Sequence, residues 1–430
     1  MGAFMSRVIS AVKPYLDRRV LTMAVLGFPY GMMFFLGVQT LQLWLTEEGI
    51  STAEVGFFSF VTLPYIFKVY WAPLINFIPI PLLSFLGARR SWLIFSHLSL
   101  IVLLNLIAWS NPSQNLLYVG VLSFSLLIFA SIQDIVVDAY RIEILKKDQA
   151  GPGIGMLTAG YRLGSFAATF GTLTIADSYS WQMAYTVMSA LVSMGIVAAL
   201  LNPEPEMIRQ KVGEKVHFLR QFFENLVPPF QEFFSRPGWI YVVVFILSYR
   251  IGDAFINTMV SPFYIQLGFT KAEIADITKF FGVLPTLAGG LIGGALATRI
   301  NIYTGLLGAG LLHALTHIMF ILQAMRGYDP DFLYYVIFLE NITGGITTAI
   351  FLLYLSREAH PKYIPTQYAF FTSLWSLPTF LAGISGELVE LLGHDWPTYF
   401  EFCLLISLPS LGLIFVLRRY PLLNAGGLGK

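Results

Sequence analysis

Asp134, Asp138 and Arg141 stand at i, i+4 and i+7 and so share one helical face, yet they end a long apolar run, Leu116 to Tyr140. An aspartate at the centre of a membrane helix costs on the order of 2.5 to 3.5 kcal/mol. Two of them therefore require a polar cavity, a partner or a proton route. Further charged and amide side chains interrupt other apolar runs: Lys68 beside Trp71, Gln133 beside Asp134, Arg162 after Tyr161, Arg250 with Asp253 and Asn257, Asp276 with Lys279, Glu340 with Asn341, and Gln367. Cationic forks and flat aromatic faces suit an anionic substrate that contains sugar or peptide. Arg162, Arg250 and Lys68 supply the first, and Trp44, Trp71, Tyr161 and Tyr249 the second. A desolvated carboxylate can carry a proton at a useful pH. Asp134 and Glu340, deepest in their runs, are the better proton-linked candidates, with Asp138 and Asp253 behind them.

Each group also has a plainer reading. Arg250 and Asp253 at i, i+3, like Asp276 and Lys279, can simply neutralise each other along a helix. Asp138 and Arg141 lie toward the end of their run, where they serve equally well as gate or headgroup residues. His313 and His317 at i, i+4 make a possible metal pair, but the sequence offers no third ligand nearby, so packing is the better account and no metal site is expected. Gly289-Gly290 and Gly293-Gly294 read as a close helix contact.

The elements that must position these residues follow from composition. The 430 residues are 56% hydrophobic and 12% charged, with a mean hydropathy of +0.69 and a net charge of +1. Soluble domains carry about 25% charged residues, so this is an all-α polytopic membrane protein. Runs long enough to cross about 30 Å of hydrocarbon occur at 20–45, 55–78, 91–110, 116–140, 153–175 and 183–201, then at 238–266, 273–298, 302–325, 331–355, 365–391 and 397–417. That predicts twelve transmembrane helices in two halves, residues 1–201 and 238–430, joined by a linker at 202–237. The linker carries five prolines, and Val216, Leu219, Phe223 and Leu226 at helical spacing predict an amphipathic helix from Val212 to Leu226. Lys and Arg bias loops to the cytoplasm. Placing both termini there leaves only Lys271 and Arg326 outside, with Lys68, Arg162, Arg250 and Lys279 inside the spans.

The halves are related. Gly49-Ile50-Ser51-Thr52-Ala53-Glu54-Val55 recurs 219 residues later as Gly268-Phe269-Thr270-Lys271-Ala272-Glu273-Ile274, each with a Thr and Glu suited to a helix N-terminus. Trp181 and Tyr185 are echoed by Trp396 and Phe400. A parallel repeat of this kind is the organisation of major facilitator transporters, with substrate between the halves. No phosphate loop is present, and Gly151-Pro152-Gly153-Ile154-Gly155 lacks the preceding strand and following Lys of a nucleotide site. ATP-driven transport, an enzyme activity, a cofactor and nucleic-acid binding are therefore not expected. The single cysteine, Cys403, leaves the redox compartment unread.

The same residues carry a family resemblance. Gly27-Phe28, Thr40-Leu41-Gln42 with Trp44-Leu45, Val55-Gly56-Phe57-Phe58-Ser59, Phe67-Lys68 with Trp71 and Pro73-Leu74, Gln133-Asp134-Ile135 with Asp138-Ala139, Gly160-Tyr161-Arg162-Leu163-Gly164 and Trp181-Gln182 resemble the AmpG muropeptide permeases. Gly252-Asp253-Ala254-Phe255, Phe338-Leu339-Glu340-Asn341 with Gly344-Gly345, and Thr366-Gln367-Tyr368-Ala369 continue the resemblance nearly to the end. It implies a major facilitator fold in the bacterial inner membrane and proton-driven import of N-acetylglucosaminyl-anhydro-N-acetylmuramyl peptides, for peptidoglycan recycling and beta-lactamase induction. It also implies that Lys68, Gln133, Asp134, Asp138, Tyr161, Arg162, Asp253, Glu340 and Asn341 line or couple the cavity. Trp71, Arg250, Asn257, Lys279, Gln42, Trp44 and Gln367 complete the candidate substrate contacts, and Arg89, Arg90 and Arg141 the cytoplasmic gate. Asn76 departs from the superfamily pattern, which has an Asp there before Gly87, Arg89 and Arg90, and Thr278-Lys279 replaces the family's Asn-Lys. The expected partners are the muropeptide, protons and membrane lipid, and the expected state is a monomer. The alternatives are another bulky anionic solute, such as acetyl-CoA or a siderophore-like molecule, and a receptor that binds the ligand without moving it.

Overall fold

The computed structural model describes residues 13–50, 61–205, 218–270, 273–274, 277 and 282–420. Among the described residues every regular element is helical. Counted along the chain they form α1 (Arg18–Glu47), α3 (Ala88–Ala108), α4 (Leu116–Ile144), α6 (Trp181–Leu201), α7 (Trp239–Gln266), α9 (Ile302–Arg326), α10 (Pro330–Glu358) and α12 (Trp396–Leu417). These eight are long and apolar enough to cross a membrane. Of the other four spans, the second and eighth lie partly outside the described residues, and the fifth and eleventh change helix type along their length. The described part of the second, α2, comprises Leu63–Ile66, Lys68–Trp71 and Leu74–Phe77, the first and third of these opened by Pro64 and Pro73, which cannot donate a helix hydrogen bond. α5 runs Ala150–Phe166 and passes a wide turn into Thr172–Ser178; α8 is Gly282–Ala297. α11 runs Ile364–Leu381 and resumes at Ser385–Leu391.

The chain divides into two compact units, residues 1–231 with 359–370 and 426–430, and residues 232–358 with 371–425. In the first, α1 and α5 touch backbone to backbone. A Cβ at Gly160 would overlap the Ala24 carbonyl, and one at Gly31 the Tyr161 carbonyl. In the second, Gly289 and Gly293 of α8 lie against the Ile342 and Ile346 carbonyls of α10. Small residues allow this approach where lipid provides no hydrophobic drive between helices. The glycine pairs of α8 are thus a helix contact.

Equivalent bonds recur in the two units. Tyr185 Oη donates to the Leu36 carbonyl at 2.8 Å, and Tyr399 Oη to the Phe255 carbonyl at 2.8 Å; the acceptors are 219 residues apart (255 − 36), and the counterpart of Tyr185 is Tyr399 rather than the expected Phe400 beside it. Trp181 Nε1 donates to Glu47 at 2.6 Å and Trp396 Nε1 to Gln266 at 2.7 Å; 266 − 47 is again 219. Gly49 and Gly268 both take the left-handed conformation after α1 and α7, with φ of 79° and 94°. Thr270 and Glu273 exchange the expected capping bonds: Thr270 N–H donates to the Glu273 carboxylate at 2.8 Å and Glu273 N–H to Thr270 Oγ1 at 3.3 Å.

The linker helix is Phe218–Ser235, so it runs past Leu226 and through Pro228 and Pro229. Its expected start at Val212, together with Val216, lies outside the described residues. Gln367 Nε2 donates to the Pro229 carbonyl at 2.8 Å within the first unit, a bond that the expected helix end at Leu226 did not anticipate.

Candidate functional site

In the first unit the residues converge on Asp134. The break in α2 at Phe67 starts a new turn at Lys68, whose Nζ lies 2.6 Å from Asp134 Oδ2 on α4. Both side chains are almost wholly buried, at 9% and 3% exposure. Three tyrosines from three different helices lie near them. Tyr30 of α1, Tyr65 of α2 and Tyr161 of α5 all interact electrostatically with the Asp134 carboxylate; Tyr30 and Tyr161 meet edge to face at 5.2 Å. Trp71 donates to Ser131 Oγ at 2.9 Å, one turn before Asp134. Arg162 follows Tyr161 on the exposed face of α5. A removable ion pair walled by aromatic faces can exchange its internal partner for a ligand carboxylate and stack a sugar ring beside it.

At the end of α4, Arg141 Nη2 lies 3.1 Å from Asp138 Oδ1 and donates to Tyr368 Oη at 3.0 Å, all within the first unit. Arg89 forms a two-pronged pair with Glu143, at 2.8 and 2.7 Å. Glu204 accepts the backbone N–H groups of Arg89 and Arg90 at 2.7 and 3.0 Å, a carboxylate at the positive end of α3. Arg90 donates to the Ala199 and Leu200 carbonyls at the end of α6. The three gate candidates thus tie together the ends of α3, α4 and α6 and the segment Ala359–Phe370. The Asn76 side chain lies outside the described atoms.

In the second unit the centre is Asp253. Arg250 sits at the break in α7, where the helix stops at Ser248 and restarts at Ile251. Its Nε donates to Asp253 Oδ2 at 2.7 Å and its Nη1 to Thr348 of α10 at 2.9 Å, and it lies over the Trp375 ring of α11. Asp253 Oδ1 faces α9. His317 Nε2 lies 3.1 Å away in hydrogen-bond line, and His313 Nε2 lies 2.9 Å away. This corrects the sequence reading of the histidine pair, which found no third group nearby. Asp253 is 60 residues from His313 (313 − 253), and its carboxylate meets the two imidazoles from another helix. Both carboxylate oxygens are engaged by Arg250 and His317, so the three form a charged hydrogen-bond network.

The profile of the Major Facilitator Superfamily matches residues 23–383. The Rickettsia felis protein named transporter AmpG 4 is 32% identical over 95% of this chain and 98% of its own. The Escherichia coli anhydromuropeptide permease is 30% identical over 92% of this chain and 79% of its own. The chain belongs to the AmpG family of the Major Facilitator Superfamily. Among solved structures, the Escherichia coli fucose:proton symporter superposes with a TM-score of 0.68 over 94% of this chain and 98% of that one, at 13% identity. The helical architecture is the major facilitator fold, and this AmpG-family member is a permease rather than an enzyme, multi-pass in the bacterial inner membrane.

Several candidates point elsewhere in the AmpG-family chain. Gln133, adjacent to Asp134, turns about 100° around the helix and donates to His97 Nε2 of α3 at 2.9 Å. Trp44 is buried in a stack on Trp181 with ring centres 5.7 Å apart, and Gln42 lies one turn before Thr46, which bonds its carbonyl. Tyr249 donates to the Leu306 carbonyl and stacks on Phe351. Gln367 anchors the linker helix. Asn257 donates to the Asp253 carbonyl in its own helix at 2.8 Å. Asn341 accepts from Thr286 of α8 at 2.7 Å, while Glu340 beside it interacts electrostatically with Asp253, Arg250 and both histidines. Lys279 and Asp276 lie outside the described residues. Tyr30 and Tyr65 are site residues absent from the sequence reading, whose one signal is a hydroxyl in a run that lipid keeps apolar; the two histidines are legible there from their spacing but read as packing.

Proposed function

We propose that this permease imports N-acetylglucosaminyl-anhydro-N-acetylmuramyl peptides, driven by the proton gradient, with both termini in the cytoplasm. The observation that carries the substrate is the similarity, over 92% of this chain, to a protein named anhydromuropeptide permease. The geometry around Lys68 suits it. The peptide carboxylate takes Lys68, the sugar rings stack on Tyr30, Tyr65, Tyr161 and Trp71, and Arg162 adds a second cationic contact. Asp134, displaced from its partner, is then a buried charge without compensation, which costs roughly 3–5 kcal/mol, so it takes up a proton. Substrate binding and protonation are linked by this exchange.

In this reading the halves, residues 1–201 and 238–430, alternate access about the linker 202–237, and Arg89, Arg90, Asp138 and Arg141 belong to the cytoplasmic gate. Glu340 is the proton-linked carboxylate of the second half. The excess of Lys and Arg in the loops assigned to the cytoplasm supports the orientation, and the chain acts as a monomer. The test is uptake of labelled anhydromuropeptide into vesicles with and without an imposed proton gradient. Gradient-stimulated accumulation is expected. No accumulation above empty vesicles sinks the reading; saturable binding without uptake makes the chain a receptor, and uptake of acetyl-CoA instead makes it a carrier of another bulky anion. Asp134→Asn is expected to remove gradient-driven uptake and retain exchange.

A further inference from the structure

Thr343 of α10 has one hydroxyl proton, and its Oγ1 lies 2.7 Å from the Leu339 carbonyl and 3.2 Å from the Glu340 carbonyl in its own helix. That proton is committed to the helix backbone, which leaves the oxygen to accept from His313 Nδ1 at 2.8 Å. A neutral histidine that donates through Nδ1 has a bare Nε2. Here Nε2 faces Asp253 Oδ1 at 2.9 Å, and no hydrogen bond in proper line reaches this buried nitrogen. Two lone pairs at that separation, away from water, repel. The carboxylate is otherwise fully used: Arg250 takes Oδ2 at 2.7 Å and His317 Nε2 donates to Oδ1 at 3.1 Å. The missing component is one positive charge.

Charge arithmetic says which. Among the described residues, the titratable groups that interact electrostatically at this point are Tyr249, Arg250 and Asp253 of α7, His313 and His317 of α9, Glu340 of α10 and Cys403 of α12. Asp253 brings −1 and Arg250 brings +1, and Glu340 adds −1 whenever it has released its own proton. One proton on His313 balances the ionised Glu340, whereas a divalent cation would leave +1 in a poorly solvated interior.

We propose that Asp253, His313 and His317 form a one-proton site in the second unit, the proton resting between His313 Nε2 and Asp253 Oδ1. His317 holds the carboxylate in place, and Thr343 fixes the ring that carries the proton. The proposal rests on the import reading for its use, which is to add a coupled proton to those taken by Asp134 and Glu340, but not for its existence.

Two measurements test it. The full-length chain with isotope-labelled histidine, in lipid nanodiscs at about pH 8, where an ordinary exposed histidine is neutral, is read by ring-nitrogen NMR. One ring protonated on both nitrogens is expected, absent in His313→Gln, retained in His317→Gln and neutral in Asp253→Asn. A neutral His313 in the parent chain overturns the proposal. So does a transition metal that copurifies with the parent and is lost in His313→Gln. In vesicles, His313→Gln is expected to lower the final accumulation of labelled anhydromuropeptide about tenfold for each pH unit of imposed gradient, the loss of one coupled proton; unchanged accumulation overturns the coupling role. A parent chain with the doubly protonated ring but no uptake supports the site and sinks the import reading, so the two failures are distinguishable.

Discussion

His97 of α3 and His313 of α9 are both buried histidines in the third helix of their half, and their partners make them different groups. His97 Nδ1 lies 2.6 Å from the Leu93 carbonyl, and its Nε2 accepts from the Gln133 amide at 2.9 Å. Both nitrogens are satisfied with the ring neutral. His313 has a hydroxyl on one nitrogen and the Asp253 carboxylate on the other, an arrangement that is complete only with an added charge. The carboxylates differ in the same way. Asp134 is held by a lysine from another helix, Lys68, while Asp253 is held by Arg250 from its own helix, one turn away. The first unit keeps its buried carboxylate on a detachable partner and its histidine inert. The second keeps its carboxylate on a fixed partner and places the exchangeable charge on the histidine.

The strongest way to break this contrast is to remove the detachable partner. Lys68→Met leaves Asp134 buried without its cation, and the loss of stability is expected to be about 3–5 kcal/mol, seen as a lower thermal unfolding temperature in lipid, with uptake abolished. The double variant Lys68→Met with Asp134→Leu is expected to recover most of the stability and none of the uptake. A single variant that unfolds like the parent would show that Asp134 already has another compensating group, and the exchange mechanism would fail.

A smaller effect tests the inert histidine. Gln133→Leu removes the donor to His97 Nε2 and leaves a buried acceptor unpaired, which costs about 1–3 kcal/mol. Stability is expected to fall by that amount while the dependence of uptake on the proton gradient stays as in the parent. If the gradient dependence shifts as it is expected to in His313→Gln, the two histidines are not different in kind.

How far these roles could be read from sequence depends on the distance over which each is determined. The helical spans, the repeat and the cost of Asp134, Asp253 and Glu340 in apolar runs are local properties of composition and spacing, and they are legible. So is the shared face of Asp138 and Arg141, which pair at 3.1 Å. The partner of Asp134 is not local. Lys68 is 66 residues away, and it points at α4 only because α2 restarts its helix at that residue. The same holds for Asp253 and the histidines, where i, i+4 spacing exposed two members and the third came from another helix. Gln133 was misleading for the opposite reason. Its neighbour in sequence is Asp134, but one residue along a helix is a turn of about 100°, and adjacency placed on one site two side chains that serve different ones.

Asn257 offers the smallest effect and the sharpest reading of which unit recognises the substrate. Its side chain is exposed, and its amide donates to the Asp253 carbonyl of the same helix at 2.8 Å. Removing an exposed amide that bonds its own backbone changes stability by no more than about 0.5 kcal/mol, and alanine favours the helix. Asn257→Ala is therefore expected to unfold like the parent and to keep the KM for anhydromuropeptide uptake within about twofold, a change of under about 0.5 kcal/mol in binding. A KM raised about tenfold, equal to about 1.4 kcal/mol, would mean that the amide leaves its helix to contact the sugar or peptide. Recognition would then be shared by α7, and the division between a binding pair around Lys68 and a proton site around His313 would no longer hold.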